Sequence, residues 1–148
     1  MLAVMAESLI VDASVVAKWF NEGESHEREA LALQSAWISG RIQLHSPSLV
    51  TYEVCNSIWK NPNIDDEKAE SLSKLAIRLK PNLIFVEERE SSETMSLARK
   101  RKITVYDAIY IVLSKFRRCP LISADENQLR VAKGYTKAIH IREVLNII

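Results

Sequence analysis

Four acidic side chains stand at positions where they could act together, namely Asp12, Glu53, Asp107 and Asp125. Asp12 directly follows the apolar run 9–11, and burying a carboxylate there is costly unless it is hydrogen-bonded, paired with a charge or bound to a cation. Glu53 and Asp125 follow later apolar runs, and Asp107 precedes the fourth run in the first turn of an apolar helix. Ligands bind outside the carboxyl ends of strands in open parallel sheets, so we expect these acids to converge. Oxygen ligands without matching basic residues favour one or two Mg²⁺ or Mn²⁺ ions.

Each acid also has a purely structural interpretation. The sequence "TVYD" fits a capping box in which Thr104 caps a helix and Asp107 reaches back. The sequence "SADE" fits another box that uses Ser123, leaving Asp125 only as a favourable charge at a helix start. Glu53 lies on a polar helix face that solvent alone would explain. In the sequence "DAS", Asp12 would simply belong to a tight turn whose serine, Ser14, caps the next helix. The expected convergence of the four acids is therefore what favours a site.

Short apolar runs alternate with longer helical patterns, which is typical of an α/β fold with a parallel sheet. We predict strands within 9–11, 42–45, 83–86, 120–123 and 138–141. We predict helices within 24–40, 46–60, 65–79, 91–102, 104–116 and 125–134. The second helix is expected to have Ser46 as its N-cap and Pro47 at its first position. The fifth is apolar on nearly every side and should be central and buried.

Composition narrows the class of protein. The chain has 148 residues and a formal charge of +1, so we expect one domain over 1–148 and no global attraction to nucleic acid. The first residues, 1–7, read as a disordered leader too short for a signal peptide. Two cysteines without CxxC spacing favour a reducing compartment, and no apolar run approaches the ~18 residues of a membrane span. We therefore expect a cytoplasmic protein that does not enter membranes.

Four segments together resemble the PIN-domain nucleases, and most closely the VapC-type toxins of toxin–antitoxin pairs. They are "LIVDASVVAKWF", "SPSLVTYEVCNSIW", "ITVYDAIYIVLS" and "PLISADENQL", in the order and spacing of that family from about Leu9 to Ile141. The resemblance implies a PIN-like three-layer fold, with helices on both faces of a five-stranded parallel sheet. It also implies a divalent-metal-dependent endoribonuclease, a homodimer and a small antitoxin partner.

The resemblance assigns the family's acidic quartet to Asp12, Glu53, Asp107 and Asp125 as catalytic and metal-binding residues. It places supporting polar groups at Ser14, Asn56, Ser123 and Asn127. In phosphodiester hydrolysis, such ions activate water and neutralise the developing negative charge. Glu53 is expected to bind metal or to orient the attacking water.

Basic and aromatic residues give weaker indications of RNA binding. The run Arg99, Lys100, Arg101 and Lys102 is a candidate for RNA phosphate contacts, although cations are also favoured at a helix C-terminus for structural reasons. Trp19 and Phe20 would stack on bases if exposed, and otherwise pack in the core.

Two other functions fit parts of the pattern. A catalytically inert PIN fold would serve as an RNA-binding or assembly module, although the intact acids argue against it. A Mg²⁺-dependent phosphatase of the haloacid-dehalogenase type also starts with an aspartate after its first strand. That family requires a second aspartate two residues later, where this chain has Ser14.

Overall fold

The structure is a computed structural model, described here over residues 5–148. Its strands are β1 (Glu7–Val11), β2 (Ile42–Pro47), β3 (Asn82–Ile84), β4 (Leu121–Ser123) and β5 (Ala138–His140). Its α-helices are α1 (Ala13–Val16), α2 (Glu27–Ile38), α3 (Val50–Lys60), α4 (Asp66–Arg78), α5 (Glu88–Arg101), α6 (Val105–Arg117) and α7 (Glu126–Ala132). Short 3₁₀ helices follow α1 and β5 at Ala17–Trp19 and Ile141–Asn146.

The strands form one parallel sheet in the order β3-β2-β1-β4-β5. The chain first builds outward from β1 to β3 and then returns to the other side of β1 with β4. This reversal beside β1 is the switch point at which parallel α/β sheets bind ligands. The predicted α/β fold, with a five-stranded parallel sheet and helices on both faces, is confirmed.

The central strand shows why both faces must be covered. Leu9, Ile10 and Val11 are all buried, although successive side chains of a strand point to opposite faces. Helix α6 contacts three strands, and its residues 108–114 are all buried, as predicted for a central apolar helix. In residues 5–148 no helix is long and apolar enough to cross a bilayer.

Several boundaries differ from the sequence predictions, among them those of β3, predicted over 83–86, and of α5, predicted to begin at 91. Ser46 is not a helix cap: it lies inside β2, where its hydroxyl donates a hydrogen bond to the carbonyl of Val11. Pro47 ends that strand, and α3 begins only at Val50, so a short turn precedes Glu53. Strand β1 begins at Glu7, within the predicted leader, while residues 1–4 lie outside the described part of the chain.

The two N-terminal aromatic residues pack inside the protein. Phe20 is buried, and Trp19 stacks on Trp37 with a ring-centroid distance of 5.6 Å. The indole N–H of Trp19 donates to the carbonyl of Ala30. These contacts confirm the core-packing interpretation and leave base stacking to other aromatic residues.

Candidate active site

Asp12 lies at the carboxyl end of β1, where the strand gives way to α1. It is buried and forms the N-cap of α1, with Oδ2 accepting a hydrogen bond of 2.9 Å from the backbone N–H of Ser14. Its own N–H donates to the carbonyl of Ile122, so the sheet ladder holds its backbone in place. The fold therefore fixes this carboxylate beside β4.

Asp125 lies at the end of β4 and is the N-cap of α7. Its Oδ1 accepts a 3.0 Å hydrogen bond from the backbone N–H of Gln128. The predicted box with Ser123 as the cap is therefore wrong by two positions. The reason is that Ser123 still belongs to β4 and its hydroxyl instead accepts from the N–H of Asp125.

Gln128, which was not predicted from the sequence, connects these two carboxylates. Its side chain is fully buried, and its amide donates to Oδ1 of Asp12 at 3.0 Å and to the main-chain carbonyl of Asp107 at 3.2 Å. Its side-chain oxygen accepts from the hydroxyl of Ser123 at 2.6 Å. One glutamine thus joins the ends of β1 and β4 to the first turn of α6.

The four predicted supporting residues divide into two pairs. Ser14 and Ser123 lie between the two aspartates, with their hydroxyl oxygens 3.4 Å apart, and Ser14 also accepts from the N–H of Ala124. Asn127 is exposed and accepts from Arg130, so it does not join the acids. Asn56 is exposed and lines a cleft beside Glu53.

Asp107 occupies the first turn of α6. Thr104 caps this helix as predicted, accepting a 3.1 Å hydrogen bond from the N–H of Asp107. Among the described hydrogen bonds the reciprocal half of the predicted capping box, from the Asp107 side chain to the backbone of Thr104, does not occur. The cap therefore uses the backbone N–H of Asp107, while a hydrogen bond with the Thr104 side chain partly offsets the rise in the pKa of the Asp107 carboxyl.

Glu53 reaches the same region from the first turn of α3. Its Oε1 accepts a 2.8 Å hydrogen bond from the hydroxyl of Tyr110, a buried residue one turn after Asp107 on α6. Glu53 is partly buried, so its side chain does not belong to a merely solvated helix face. The role of Tyr110 was not predicted from the sequence either, because only the tertiary fold brings its hydroxyl to Glu53.

The electrostatics place the four acids in one group. Burial raises the pKa of Asp12 and of Asp107, and in each the negative charge of Asp125 raises it further. Burial also raises the pKa of Glu53 to about 7, and the charges of Asp12 and Asp107 add to this effect, which the Tyr110 hydrogen bond opposes. At neutral pH the repulsion between these carboxylates would be relieved either by a bound cation or by proton uptake.

The donor chemistry fits a hard divalent ion, although the side chains are not already arranged around one. The candidate ligands are carboxylate oxygens, as Mg²⁺ and Mn²⁺ prefer, and no ion pair within residues 5–148 involves any of the four acids. Over the same residues, no group of three or more His, Cys, Asp or Glu side chains is positioned to hold a metal. Ion binding would therefore require the carboxylates to approach one another more closely than they do in this structure.

The basic run at the end of α5 lies near this group along the chain. All four of its residues, 99–102, are exposed. Lys102 ends α5 in the left-handed region, two residues before the Thr104 cap of α6. The run therefore lies just before the start of α6, which carries Asp107.

Comparison with known families and proteins agrees with this geometry. The sequence model of a family described as "PIN domain" matches residues 9–134. A protein of Pyrobaculum aerophilum named Ribonuclease VapC3 is 31% identical over 111 residues, covering 72% of this chain and 81% of its own length. A second protein of that organism, named Exonuclease VapC9, is 26% identical over 98 residues, covering 66% of this chain and 74% of its own.

The fold also recurs among solved structures. A chain in a toxin–antitoxin complex from Klebsiella pneumoniae superimposes with a TM-score of 0.64 at 19% identity. The match covers 90% of this chain and 97% of the other. At this identity the likeness is one of fold.

Proposed function

We propose, because this chain belongs to the PIN domain family, that it is a divalent-metal-dependent endoribonuclease and the toxin of a toxin–antitoxin pair. One observation carries the proposal: four carboxylates from β1, α3, α6 and the β4–α7 turn influence one another's charge at the switch point of the sheet. The relative named Ribonuclease VapC3 supports the nuclease class.

In this proposal Asp12, Asp107 and Asp125 hold one or two Mg²⁺ or Mn²⁺ ions, with Glu53 as a further ligand or as the group that orients the attacking water. The bound ions would supply an activated water and neutralise charge on the phosphate. Gln128 would keep the Asp12 carboxylate in one orientation through its 3.0 Å hydrogen bond. Tyr110 would do the same for Glu53.

The decisive test is cleavage mapping on total RNA with Mg²⁺ or Mn²⁺. We expect discrete cuts that a chelator abolishes and that Asp12→Asn or Asp125→Asn eliminates without loss of fold. Full activity in both variants would contradict the assignment. Specific RNA binding without cleavage would instead support an inert binding module.

A circular RNA containing the mapped site distinguishes internal cleavage from digestion at an end. An endonuclease linearises the circle, whereas an enzyme that requires an end leaves it intact. This control matters because one relative is named an exonuclease. The circle should be cut at the site found in linear RNA.

The exposed run Arg99, Lys100, Arg101 and Lys102 is proposed to contact RNA phosphates outside the acidic centre. Each such contact makes affinity more dependent on salt. Replacing Arg99 and Lys100 with glutamine should weaken RNA binding and flatten its salt dependence, while the same changes at Lys133 and Lys137 should not. Equal effects of both pairs would point to non-specific charge.

The proposed partners are a small antitoxin and a second copy of the chain. The structural similarity to a chain in a toxin–antitoxin complex supports an antitoxin partner. Light scattering tests the dimer, and co-purification with the product of a neighbouring small gene tests the antitoxin. A monomer at all concentrations, with no inhibition by that product, would contradict both.

A further inference from the structure

A cleft with aromatic walls opens beside the acidic group. Its volume is about 490 Å³, within the range of roughly 300–1,000 Å³ typical of small-ligand sites. It is lined by Leu49, Tyr52, Glu53, Asn56 and Tyr106. Glu53 belongs both to this cleft and to the acidic group, so the cleft adjoins that group.

Two tyrosines in the cleft are unusually exposed for aromatic residues. Tyr52 is 78% exposed on the first turn of α3, and Tyr106 is 64% exposed on the first turn of α6, directly before Asp107. Neither side chain takes part in the described ring–ring or cation–π contacts of residues 5–148. Their ring faces are therefore available to a ligand.

We propose that this cleft is a subsite for one unpaired nucleobase next to the phosphate that is cut, stacked on Tyr52 or Tyr106. The inference rests on the proposed ribonuclease function. Single-stranded RNA offers bases that stack on aromatic rings, whereas bases in a duplex are already stacked. The exposed amide of Asn56 supplies a donor and an acceptor for the edge of such a base.

Because the cleft lies beside the acidic group, a base bound in it would help to hold RNA at the carboxylates. The acidic group repels phosphates unless cations are bound, so backbone contacts alone hold RNA poorly there. Stacking on an aromatic ring attracts a base without depending on charge. A base held beside Glu53 would place its own phosphate at the carboxylates, and would select unpaired nucleotides.

The test measures binding separately from cleavage. The Asp125→Asn protein is titrated with a short single-stranded oligoadenylate that carries fluorescein at its 5′ end, and with the same labelled chain made abasic at every position. Fluorescence anisotropy measures the affinity for each chain. Removing the ring that carries the base, by Tyr52→Ala or by Tyr106→Ala, should weaken binding of the oligoadenylate about 5- to 150-fold, the range that loss of one base–aromatic stack produces. This loss should vanish with the abasic chain, and Tyr106→Phe should bind normally.

Trp59→Ala provides the matched control. This residue lies on α3 with 76% exposure, as high as that of Tyr52, but does not line the cleft. We expect no change in RNA affinity for this variant. Light scattering of each variant reports whether the substitution has altered the oligomeric state.

The outcomes separate this inference from the proposed function. Equal losses with oligoadenylate and abasic chains, or no loss at all, would overturn the nucleobase subsite even if the wild type cuts RNA. Loss of a dimer without loss of base-dependent binding would assign the tyrosines to a second copy and also overturn it. Base-dependent binding by a wild type that never cuts RNA would support the subsite and contradict the nuclease.

Discussion

Replacing Gln128 with leucine should destabilise the metal-free protein substantially. The Gln128 side chain is fully buried and makes three hydrogen bonds, to the Asp12 carboxylate, to the Asp107 carbonyl and from the Ser123 hydroxyl. Leucine has a similar size and fills most of the space. The main cost is therefore the loss of partners for buried polar groups.

The size of the stability loss depends on which buried polar groups lose a hydrogen-bond partner. A buried polar group that loses its partner costs about 1–3 kcal/mol. The hydroxyl of Ser123 still accepts from Asp125, and the Asp12 carboxylate still accepts from Ser14, so the three losses do not add in full. We expect the free energy of unfolding to fall by about 2–4 kcal/mol.

Urea unfolding at pH 7 with chelator, followed by circular dichroism, measures this change. The neighbouring Asn127→Leu is the control, because Asn127 is an exposed amide on the same helix and should cost within about 0.5 kcal/mol. A loss below about 1 kcal/mol for Gln128→Leu, with an unchanged urea dependence, would refute the role given to its hydrogen bonds.

Gln128→Glu adds a test with a defined pH dependence. A carboxyl here keeps the acceptor for Ser123 but faces the Asp12 carboxylate, so its pKa in the folded protein should lie above its unfolded value. The folded state then binds more protons, and the free energy of unfolding rises as the pH falls from neutral toward about 4.3. Greater destabilisation on acidification, relative to the wild type, would contradict the geometry.

Three further predictions address the acids. For the metal-free wild type, the free energy of unfolding should fall as the pH rises from about 5 to 8, because the pKa of Glu53 is about 7 in the fold against an ordinary 4.5. Glu53→Gln should flatten this pH dependence in a series of urea melts. An unchanged slope would refute the assignment to Glu53. Tyr110→Phe removes the hydrogen bond that lowers the pKa of Glu53, so in metal-free urea melts the fall in the free energy of unfolding should move to higher pH. An unmoved fall would refute this role of the hydrogen bond. Asp125→Asn keeps a good N-cap, so the metal-free melting temperature should be unchanged or higher, while the rise induced by Mn²⁺ should shrink. Asp125→Ala also removes the cap and should lower the free energy of unfolding by about 1 kcal/mol. A full Mn²⁺ shift in Asp125→Asn would exclude Asp125 as a ligand.

The sheet could be predicted from sequence because its strands are buried on both faces. Such strands read as continuous apolar runs, and the helices between them have capping and stop residues of their own. The error at Ser46 has a specific cause. Ser-Pro is a strong helix-start pattern, but in the fold the hydroxyl is satisfied by the carbonyl of Val11 on the neighbouring strand, so the strand continues to Pro47.

The parts of the site that escaped prediction depend on helix register and on long-range partners. The family resemblance assigned a supporting role to Asn127, whereas with Asp125 as the cap of α7 it is Gln128 that is buried against the acids. The signal was present, since an aspartate followed three residues later by glutamine is itself a capping pattern. For Tyr110 no local signal exists, because its partner Glu53 is 57 residues away.

Capping and metal binding, which looked like alternatives for Asp125, are compatible in this fold. A carboxylate has two oxygens, each able to accept more than one hydrogen bond. Asp125 uses Oδ1 to cap α7, and no described hydrogen bond involves Oδ2. The cap restricts the rotation of the side chain and so limits where Oδ2 can lie, reducing the entropy that a ligand to a metal would lose. Asp125→Asn and Asp125→Ala must therefore be measured together. The first substitution removes the charge and keeps the cap, whereas the second removes both, so the difference between their stabilities isolates the contribution of the cap.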